Sequence, residues 1–296
     1  MKLPFLGRQD TVTLVIDSAA ARILVARDGS VAQWASLPID EGLIVEGAIQ
    51  DTEATGKIVA ALFQQNGVSR RNVVTCVSGA QAVNRILTLP AMRKEDIGNA
   101  ISYQAKRDLP VPLEQLVVAW QVLDSNEQQT RVFVIGIPID LAQRLAVTLR
   151  QARVSAKAID VKPLALARAL GRPTAIVGNV EVDSIDIVCL SDYAPLIMHS
   201  IYFPQPETSA AELGRRLADE VQRSIRYYNE SNRQEPIKAN TPVILTGGGA
   251  DYFSLVEALY GTMEYTIEKF SPPITFPSEF PLEEYAANIG LALKGK

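Results

Sequence analysis

The sequence is poor in the residues that build metal centres and nucleic-acid surfaces. It has one histidine and two cysteines, and the cysteines do not form a CxxC pair, so no metal site is expected. Aromatic residues make up 6% of the chain, and its formal net charge is −4 with the 29 Lys and Arg residues scattered. This composition gives no indication of a nucleic-acid partner.

Long hydrophobic runs are also missing. No apolar stretch approaches the roughly 20 residues that a membrane-spanning helix needs. The first seven residues are broken by Pro4 too early for a signal peptide. We therefore expect a cytoplasmic protein that reaches a membrane only through a partner.

What the sequence does contain is a pattern of strands and helices that occurs twice. A chain of 296 residues suits two domains of about 150 residues each. Three strand-like segments followed by a helix and another strand appear near residues 11–78 and again near 174–246. We predict an α/β protein with one domain at residues 1–171 and a second at 172–296.

The first half carries an extra unit at about residues 82–153. Strands are predicted at 83–90, 116–123 and 131–137, with helices at 92–109 and 139–151. The order is therefore β-α-β-β-α, and it interrupts the first domain.

A glycine-rich turn in the second half raises a functional question. The apolar run Val243-Ile-Leu-Thr246 stops at Gly247, Gly248 and Gly249, and a helix is predicted to follow. Such a turn either lets a nucleotide approach the bare backbone or makes a tight corner between a strand and a helix.

Several motifs together resemble one family. They are Leu89-Pro-Ala-Met92, Pro110-Val-Pro-Leu-Glu114, Trp120-Gln-Val-Leu123, Gly47-Ala-Ile-Gln-Asp51 and Leu245-Thr-Gly-Gly-Gly-Ala250. Together these motifs resemble the type IV pilus assembly protein PilM family, which is related to the division protein FtsA.

The resemblance implies an actin-like, ribonuclease H-like fold of two domains, with the inserted subdomain in the first. The second domain departs from the family, because residues 201–206 lead almost directly into the next predicted helix, so we expect it to be trimmed. It also implies a cytoplasmic scaffold, peripheral at the inner membrane, that binds the cytoplasmic N-terminal tail of a bitopic protein such as PilN. Other pilus assembly proteins and further copies of the chain are additional expected partners. The tail is expected along residues 110–112 or along 83–89.

The same resemblance implies a cleft for ATP and Mg²⁺, and the sequence departs from it. Of the first phosphate-binding turn, Asp17 and Ser18 remain without the expected glycine. The second turn is placed at residues 175–180, where Gly178 remains but Ile176 or Val177 replaces the metal-binding carboxylate. The candidate cofactor-binding residues, as remnants, are Asp17, Ser18, Gly178, Gly247, Gly248 and Gly249. ATP and Mg²⁺ are expected to bind weakly or not at all, and we assign no catalytic or metal-binding residue.

Three functions stay open at this point. A scaffold without ATP hydrolysis is favoured, the alternative is an actin-like ATPase that switches or polymerises with nucleotide, and a sugar-kinase relative is third. An acidic cluster near the second turn, Glu181, Asp183 and Asp186, is interpreted as a solvated hairpin, with a displaced metal site as the alternative.

Overall fold

The computed structural model describes residues 10–108, 111–203, 209–233, 235–259 and 265–294, without the side chains of residues 105–108. Two five-stranded mixed sheets dominate this part of the chain, and a three-stranded sheet is attached to the first of them.

The first sheet has the strand order β10-β6-β1-β2-β3. Its strands are β1 (Thr11–Ile16), β2 (Ala20–Arg27), β3 (Ser30–Pro38), β6 (Val73–Val77) and β10 (Ala156–Val161). A short ribbon that the sequence did not predict, β4 (Ile44–Val45) and β5 (Ala48–Ile49), lies beside it.

Helices cover both faces of this sheet. On one face, α1 (Thr52–Gln65) and α3 (Ile139–Gln151) bury aliphatic side chains against the strands. The carboxylate of Asp51 caps α1 by accepting hydrogen bonds from the N–H groups of Glu53 and Ala54, as the residue before a helix commonly does. On the other face lie α4 (Lys162–Ala169) and α7 (Ala286–Ala292).

The inserted unit is a three-stranded antiparallel sheet in the order β7-β9-β8. Its elements are β7 (Val83–Pro90), α2 (Lys94–Asp108), a 3-10 turn (Leu113–Gln115), β8 (Leu116–Ser125) and β9 (Gln129–Pro138). Strand alternation gives the central strand two cores: Val132 and Val134 face the side covered by α2, whereas Phe133 and Ile135 face the core of the first sheet. The predicted unit is thereby confirmed in its order of elements.

The second sheet has the order β13-β12-β11-β14-β15. Its elements are β11 (Ala175–Val180), β12 (Ser184–Ser191), β13 (Ala194–Tyr202), α5 (Ala210–Ser231), β14 (Val243–Thr246), α6 (Tyr252–Leu259) and β15 (Ile267–Glu268). Ser209 caps α5, since its Oγ accepts a hydrogen bond from the N–H of Glu212 at 3.3 Å.

Gly178 lies inside β11, opposite Ile187 of β12. A Cβ atom at this position would come within 2.9 Å of Leu217 Cδ1 on α5. Its lack of a side chain therefore lets the long helix pack closely on the sheet. The prediction that Gly178 belongs to a phosphate-binding turn is wrong, because the turn between β11 and β12 comes later, after Val180.

The division into domains at residue 171 stays a prediction. The sheets follow that division, but α7, near the end of the chain, packs against β1 and β2 of the first sheet. One hydrophobic cluster includes Leu24 of the first sheet, Val177 of the second and Ile289 of α7. The two halves are therefore joined by a shared core.

Among the helices of the described residues, none combines the length and the hydropathy required to cross a bilayer.

Candidate functional site

The first candidate phosphate-binding turn, between β1 and β2, is closed on itself. Asp17 Oδ1 accepts hydrogen bonds from the backbone N–H groups of Ala19 and Ala20, both at 3.0 Å, a common arrangement for an aspartate in a tight turn. Its other oxygen is ion-paired with the guanidinium of Arg22. The Oγ of Ser18 is buried without a hydrogen-bond partner among the described residues. Asp17 therefore satisfies its own turn and the adjacent arginine.

The second turn lies between β11 and β12 at residues 181–183, and Glu181 and Asp183 give it two carboxylates. Glu181 directly follows β11, and Asp186 lies in β12 opposite Asn179. Glu181 and Asp186 are 4% and 1% exposed, respectively. Ile176 and Val177 lie inside β11 rather than in the turn, and their assignment to the carboxylate position stays a prediction. The solvated-hairpin interpretation is wrong for Glu181 and Asp186, because both are buried.

Lys162 supplies the cation that these carboxylates face. It begins α4, and its Nζ lies 3.3 Å from Glu181 Oε1 and 3.0 Å from Asp186 Oδ2. Its side chain is only 7% exposed. The amide of Asn179 donates to the same two carboxylate oxygens at 3.1 Å. Ser200 Oγ donates to Asp186 Oδ1 at 2.5 Å, so the carboxylates are held by protein groups.

The charge balance explains the direction of the pKa shifts. Burial alone would lower the pKa of Lys162, but the carboxylates of Asp186, Glu181 and Asp17 raise it well above its ordinary value. Burial alone would raise the pKa of Glu181, yet the cations of Lys162 and Arg22 lower it. The pKa of Asp17 is raised by its burial and by the charge of Glu181, against the opposing effect of Arg22.

The three glycines after β14 form the corner that the sequence left open. Gly247 has φ +100°, and a Cβ atom there would lie 2.1 Å from the carbonyl oxygen of Val180. A Cβ atom at Gly249 would lie 2.3 Å from the backbone of Glu181, and the N–H of Gly249 donates to the carbonyl of Val180 at 2.9 Å. The glycines thus allow one turn to lie directly on the other.

Little space remains between the two turns. A cavity of about 20 Å³ is lined by Asp17, Ser18, Lys162 and Tyr202, among others. In the same measure one water molecule needs about 10–15 Å³. As arranged here, the described residues do not fit a magnesium nucleotide between the turns: the carboxylates face an ammonium group, and the room suits one water molecule. No cluster of His, Cys, Asp and Glu in the described ranges has the arrangement of a metal site.

An open groove lies where the inserted unit meets the first sheet. It has a volume of about 580 Å³, and its lining includes Gln81, Val111, Glu114, Leu116, Ile139 and Asp140. We call it the acidic groove, because its described lining has two carboxylates and neither lysine nor arginine. Arg144 faces Asp140 on the exposed surface of α3, with Nε and Oδ2 4.0 Å apart.

The two regions predicted for the partner's tail lie on different grooves. Residues 111 and 112 are described and Val111 lines the acidic groove, whereas Pro110 lies outside the described residues. The strand at 83–89 lines another groove of about 700 Å³, which faces β13 and α5 and contains Arg85, Arg131 and Tyr227.

A comparison with protein families identifies this architecture. Residues 20–199 match the family model of type IV pilus assembly protein PilM. The chain belongs to the PilM family. The match runs from β2 of the first sheet through the inserted unit to within β13 of the second sheet, and it confirms the resemblance found in the motifs.

Solved structures agree on the fold. The chain is similar to a structure described as the PilM–PilN type IV pilus biogenesis complex, with 22% identity, a TM-score of 0.79, and coverage of 98% of this chain and 99% of that chain. It is also similar to the ethanolamine utilization protein EutJ of Carboxydothermus hydrogenoformans, with 14% identity, a TM-score of 0.57, and coverage of 98% and 91%.

A third similar structure is the cytoplasmic domain of EpsL, an inner-membrane component of the type II secretion system of Vibrio cholerae. It has 14% identity, a TM-score of 0.53, and coverage of 97% of this chain and 96% of that chain. Together these matches confirm the predicted actin-like α/β fold.

Sequence reasoning missed Lys162 and Asn179. Lys162 looks like an ordinary lysine at the first position of a helix, and Asn179 lies in an apolar run. Only the pairing of β11 with β12 and β14 brings Asn179 beside Glu181, Asp186 and Thr246. The signal that could have indicated them was the acidic cluster, because carboxylates that become buried need a cation beside them.

Proposed function

We propose that the chain is a scaffold of type IV pilus assembly that binds the cytoplasmic N-terminal tail of a PilN-like bitopic membrane protein and does not hydrolyse ATP. Its membership in the PilM family supports the pilus role. Its likeness in fold to a structure described as a PilM–PilN complex supports the choice of partner. The scaffold would work at the cytoplasmic face of the inner membrane through that partner.

The acidic groove is the observation that carries the proposal. Loops on the cytoplasmic side of membrane proteins are enriched in lysine and arginine near the membrane. A short tail of this kind is complementary to a groove whose lining includes the exposed carboxylate of Asp140 and the apolar side chains of Leu116 and Ile139. An extended peptide can bury its apolar side chains there and keep its cations at the rim.

The cleft supports the absence of ATP hydrolysis. Phosphoryl transfer depends mainly on electrostatic stabilisation by metal ions and positioned donors. Here Glu181 and Asp186 are neutralised by Lys162 at 3.0–3.3 Å and hydrogen-bonded by Asn179. Coordination of a hydrated Mg²⁺ would first require this ammonium group to be displaced. No observation on the described residues favours a sugar-kinase role.

A charge reversal in the groove tests the partner. A synthetic peptide of the PilN-like tail from the same organism is titrated into the protein by calorimetry. We expect Asp140→Lys to weaken binding about tenfold, since it places a cation where the tail presents its own. Glu127→Lys is the matched control, because it makes the same charge change in the exposed turn of the β8–β9 hairpin, at the other end of the inserted unit. If both variants bound the peptide with equal affinity, the tail would not bind in the acidic groove.

A thermal shift tests the nucleotide. Ligands that bind the folded state raise the melting temperature by mass action. We expect Mg-ATP at millimolar concentration to leave it unchanged. A rise of several degrees together with phosphate release would instead establish the ATPase alternative.

A further inference from the structure

The cleft contains a buried charge cluster that spans the two halves of the chain, and it concerns conformation rather than partner binding. We call it the cleft cluster and define it by Asp17, Arg22, Lys162, Asn179, Glu181 and Asp186. Asp17 and Arg22 belong to the β1–β2 hairpin of the first sheet, and Glu181 and Asp186 to the β11–β12 hairpin of the second. Two cations therefore face three carboxylates in a shared interior.

Lys162 is the member that joins the halves. It follows β10 of the first sheet directly and starts α4, yet both of its ion pairs are with β11–β12. No other lysine is buried in the described part of the chain. Its ammonium group is also attracted by Asp17 of the first hairpin, so one charge connects both turns.

Neutral contacts in the same place hold the halves at close range. A Cβ atom at Gly79 would lie 2.2 Å from Ser200 Oγ of β13, and one at Gly47 would lie 2.3 Å from the Tyr202 hydroxyl. These glycines let loops of the first half touch β13, and Tyr202 is hydrogen-bonded to Ser78. The turns are thus already closed on each other, with room for about one water molecule between them.

We propose that Lys162 is a built-in cation that locks the two halves in this closed arrangement, so that closure needs neither nucleotide nor metal. The physical reason is that opening the cleft would separate the ammonium group of Lys162 from two carboxylates. Charges that are now paired would then lose their partners. The population of a closed state that a side chain stabilises does not depend on ligand concentration, whereas that of a closed state stabilised by a ligand does. The chain would therefore behave as one rigid scaffold rather than as a two-state clamp.

Distance measurements between spin labels test this lock. Labels are placed at Lys57→Cys on α1 and Arg223→Cys on α5, since these side chains are 74% and 72% exposed. The native thiols of Cys76 and Cys189 are free but buried, which makes labelling of the new sites selective. We expect one narrow distance distribution in the otherwise unaltered protein, the same with and without Mg-ATP.

The decisive variant is Lys162→Met/Glu181→Gln/Asp186→Asn, which removes the ion pairs without leaving a buried unpaired charge. We expect it to fold, as judged by circular dichroism, and to show a longer and broader distribution. The control is Lys294→Met, which takes an ammonium group from Asp160 but leaves the cleft untouched, and it should stay narrow.

Three results would overturn the lock. They are a narrow distribution in the triple variant, an equal broadening in Lys294→Met, and a change of distance in the unaltered protein when Mg-ATP is added. Each is independent of peptide binding at the acidic groove, so the failure of one proposal is distinguishable from the failure of the other.

Discussion

The cleft and the acidic groove differ in how their carboxylates are used. In the cleft, Glu181 and Asp186 are almost fully buried, and each meets an ammonium group and an amide. In the groove, Glu114 and Asp140 are exposed and border about 580 Å³ of open space. The first pair is held inside the protein by these groups, whereas the second pair lies at the surface, where Asp140 Oδ2 is 4.0 Å from Arg144 Nε.

Burial explains why the two cleft carboxylates need a cation inside the protein. Buried carboxylates without a counter-ion would be costly. In this chain a lysine at the start of α4 supplies that counter-ion. The inserted unit, which has its own core of Leu87, Ile97 and Val134, presents the acidic groove at its junction with the first sheet, where we propose that the tail binds.

The largest expected effect comes from removing the cation. Lys162→Met leaves Glu181 and Asp186 buried and unpaired, which typically costs about 3–5 kcal/mol of unfolding free energy. Denaturant titration measures this loss. Lys57→Met is the control, because the exposed Lys57–Glu53 pair on α1 contributes only about 0.3–0.5 kcal/mol. A loss below 1 kcal/mol for Lys162→Met would mean that the ion pairs are unimportant to the closed cleft.

A second large effect is expected at the glycine corner. Gly249→Ala would force a Cβ atom to within 2.3 Å of the backbone of Glu181, so the two turns must separate, at a cost of roughly 2–4 kcal/mol. Gly98→Ala is the matched control: Gly98 lies within α2 and a Cβ atom there meets nothing within 4 Å. That change should stabilise the protein by about 0.5–1 kcal/mol, as measured by thermal denaturation. If Gly249→Ala were equally harmless, the turns would not be in contact.

The fold was largely predictable because periodicity and caps are local signals. The helix predicted at 139–151 has those bounds in the structure. Leu213, Leu217, Val221 and Ile225 recur every four residues along α5 and are buried on one face. Residues 264–270 also have a strand-like pattern, but only Ile267–Glu268 pairs as a strand within the described part of that segment. Short edge segments carry too few residues for a clear alternation.

The site was less predictable because its residues are brought together only by the tertiary structure. Gly178 was interpreted as a turn glycine, since nothing in the local sequence reveals that Leu217 of a distant helix needs the space of a side chain. Glu181 and Asp186 were likewise interpreted as part of a solvated hairpin, because Lys162, the lysine that pairs with them, belongs to another element. Charge patterns along a sequence cannot distinguish a water-facing carboxylate from a paired, buried one.

A change of pH should sharpen the role of Lys162. In the unaltered protein the cations of Lys162 and Arg22 hold the pKa of Glu181 below its ordinary value. Glu181 therefore contributes stability that is present above its unfolded-state pKa and is lost as the pH falls through its folded-state pKa. In Lys162→Met, we expect burial without this cation to raise the folded-state pKa of Glu181 instead. Protonation of Glu181 at lower pH then removes the unpaired buried charge.

We therefore expect the stability gap between the unaltered protein and Lys162→Met to shrink between pH 7 and pH 5. The change should be at most about 1.4 kcal/mol for each pH unit of this interval that lies below the raised folded-state pKa of the carboxylate. Denaturant titrations of both proteins at the two pH values measure it, with Lys57→Met expected to show a constant gap. A gap that widened at pH 5 would contradict the assignment of buried charges to the cleft.

The smallest effect, a dependence on salt, compares the two regions directly. Exposed charges are screened over a Debye length of about 10 Å at 0.1 M ionic strength and about 3 Å at 1 M, whereas buried pairs are screened much less. Raising sodium chloride from about 50 to 500 mM should therefore weaken tail binding at the acidic groove by roughly three- to tenfold. The stability difference between the unaltered protein and Lys162→Met should stay nearly constant over the same range, because Lys162, Glu181 and Asp186 are buried. Calorimetry and denaturant titration on the same samples measure both quantities. If tail binding did not change with salt, the tail would be held by apolar contacts at Leu116 and Ile139. If the stability difference between the unaltered protein and Lys162→Met changed with salt, water would reach the cleft.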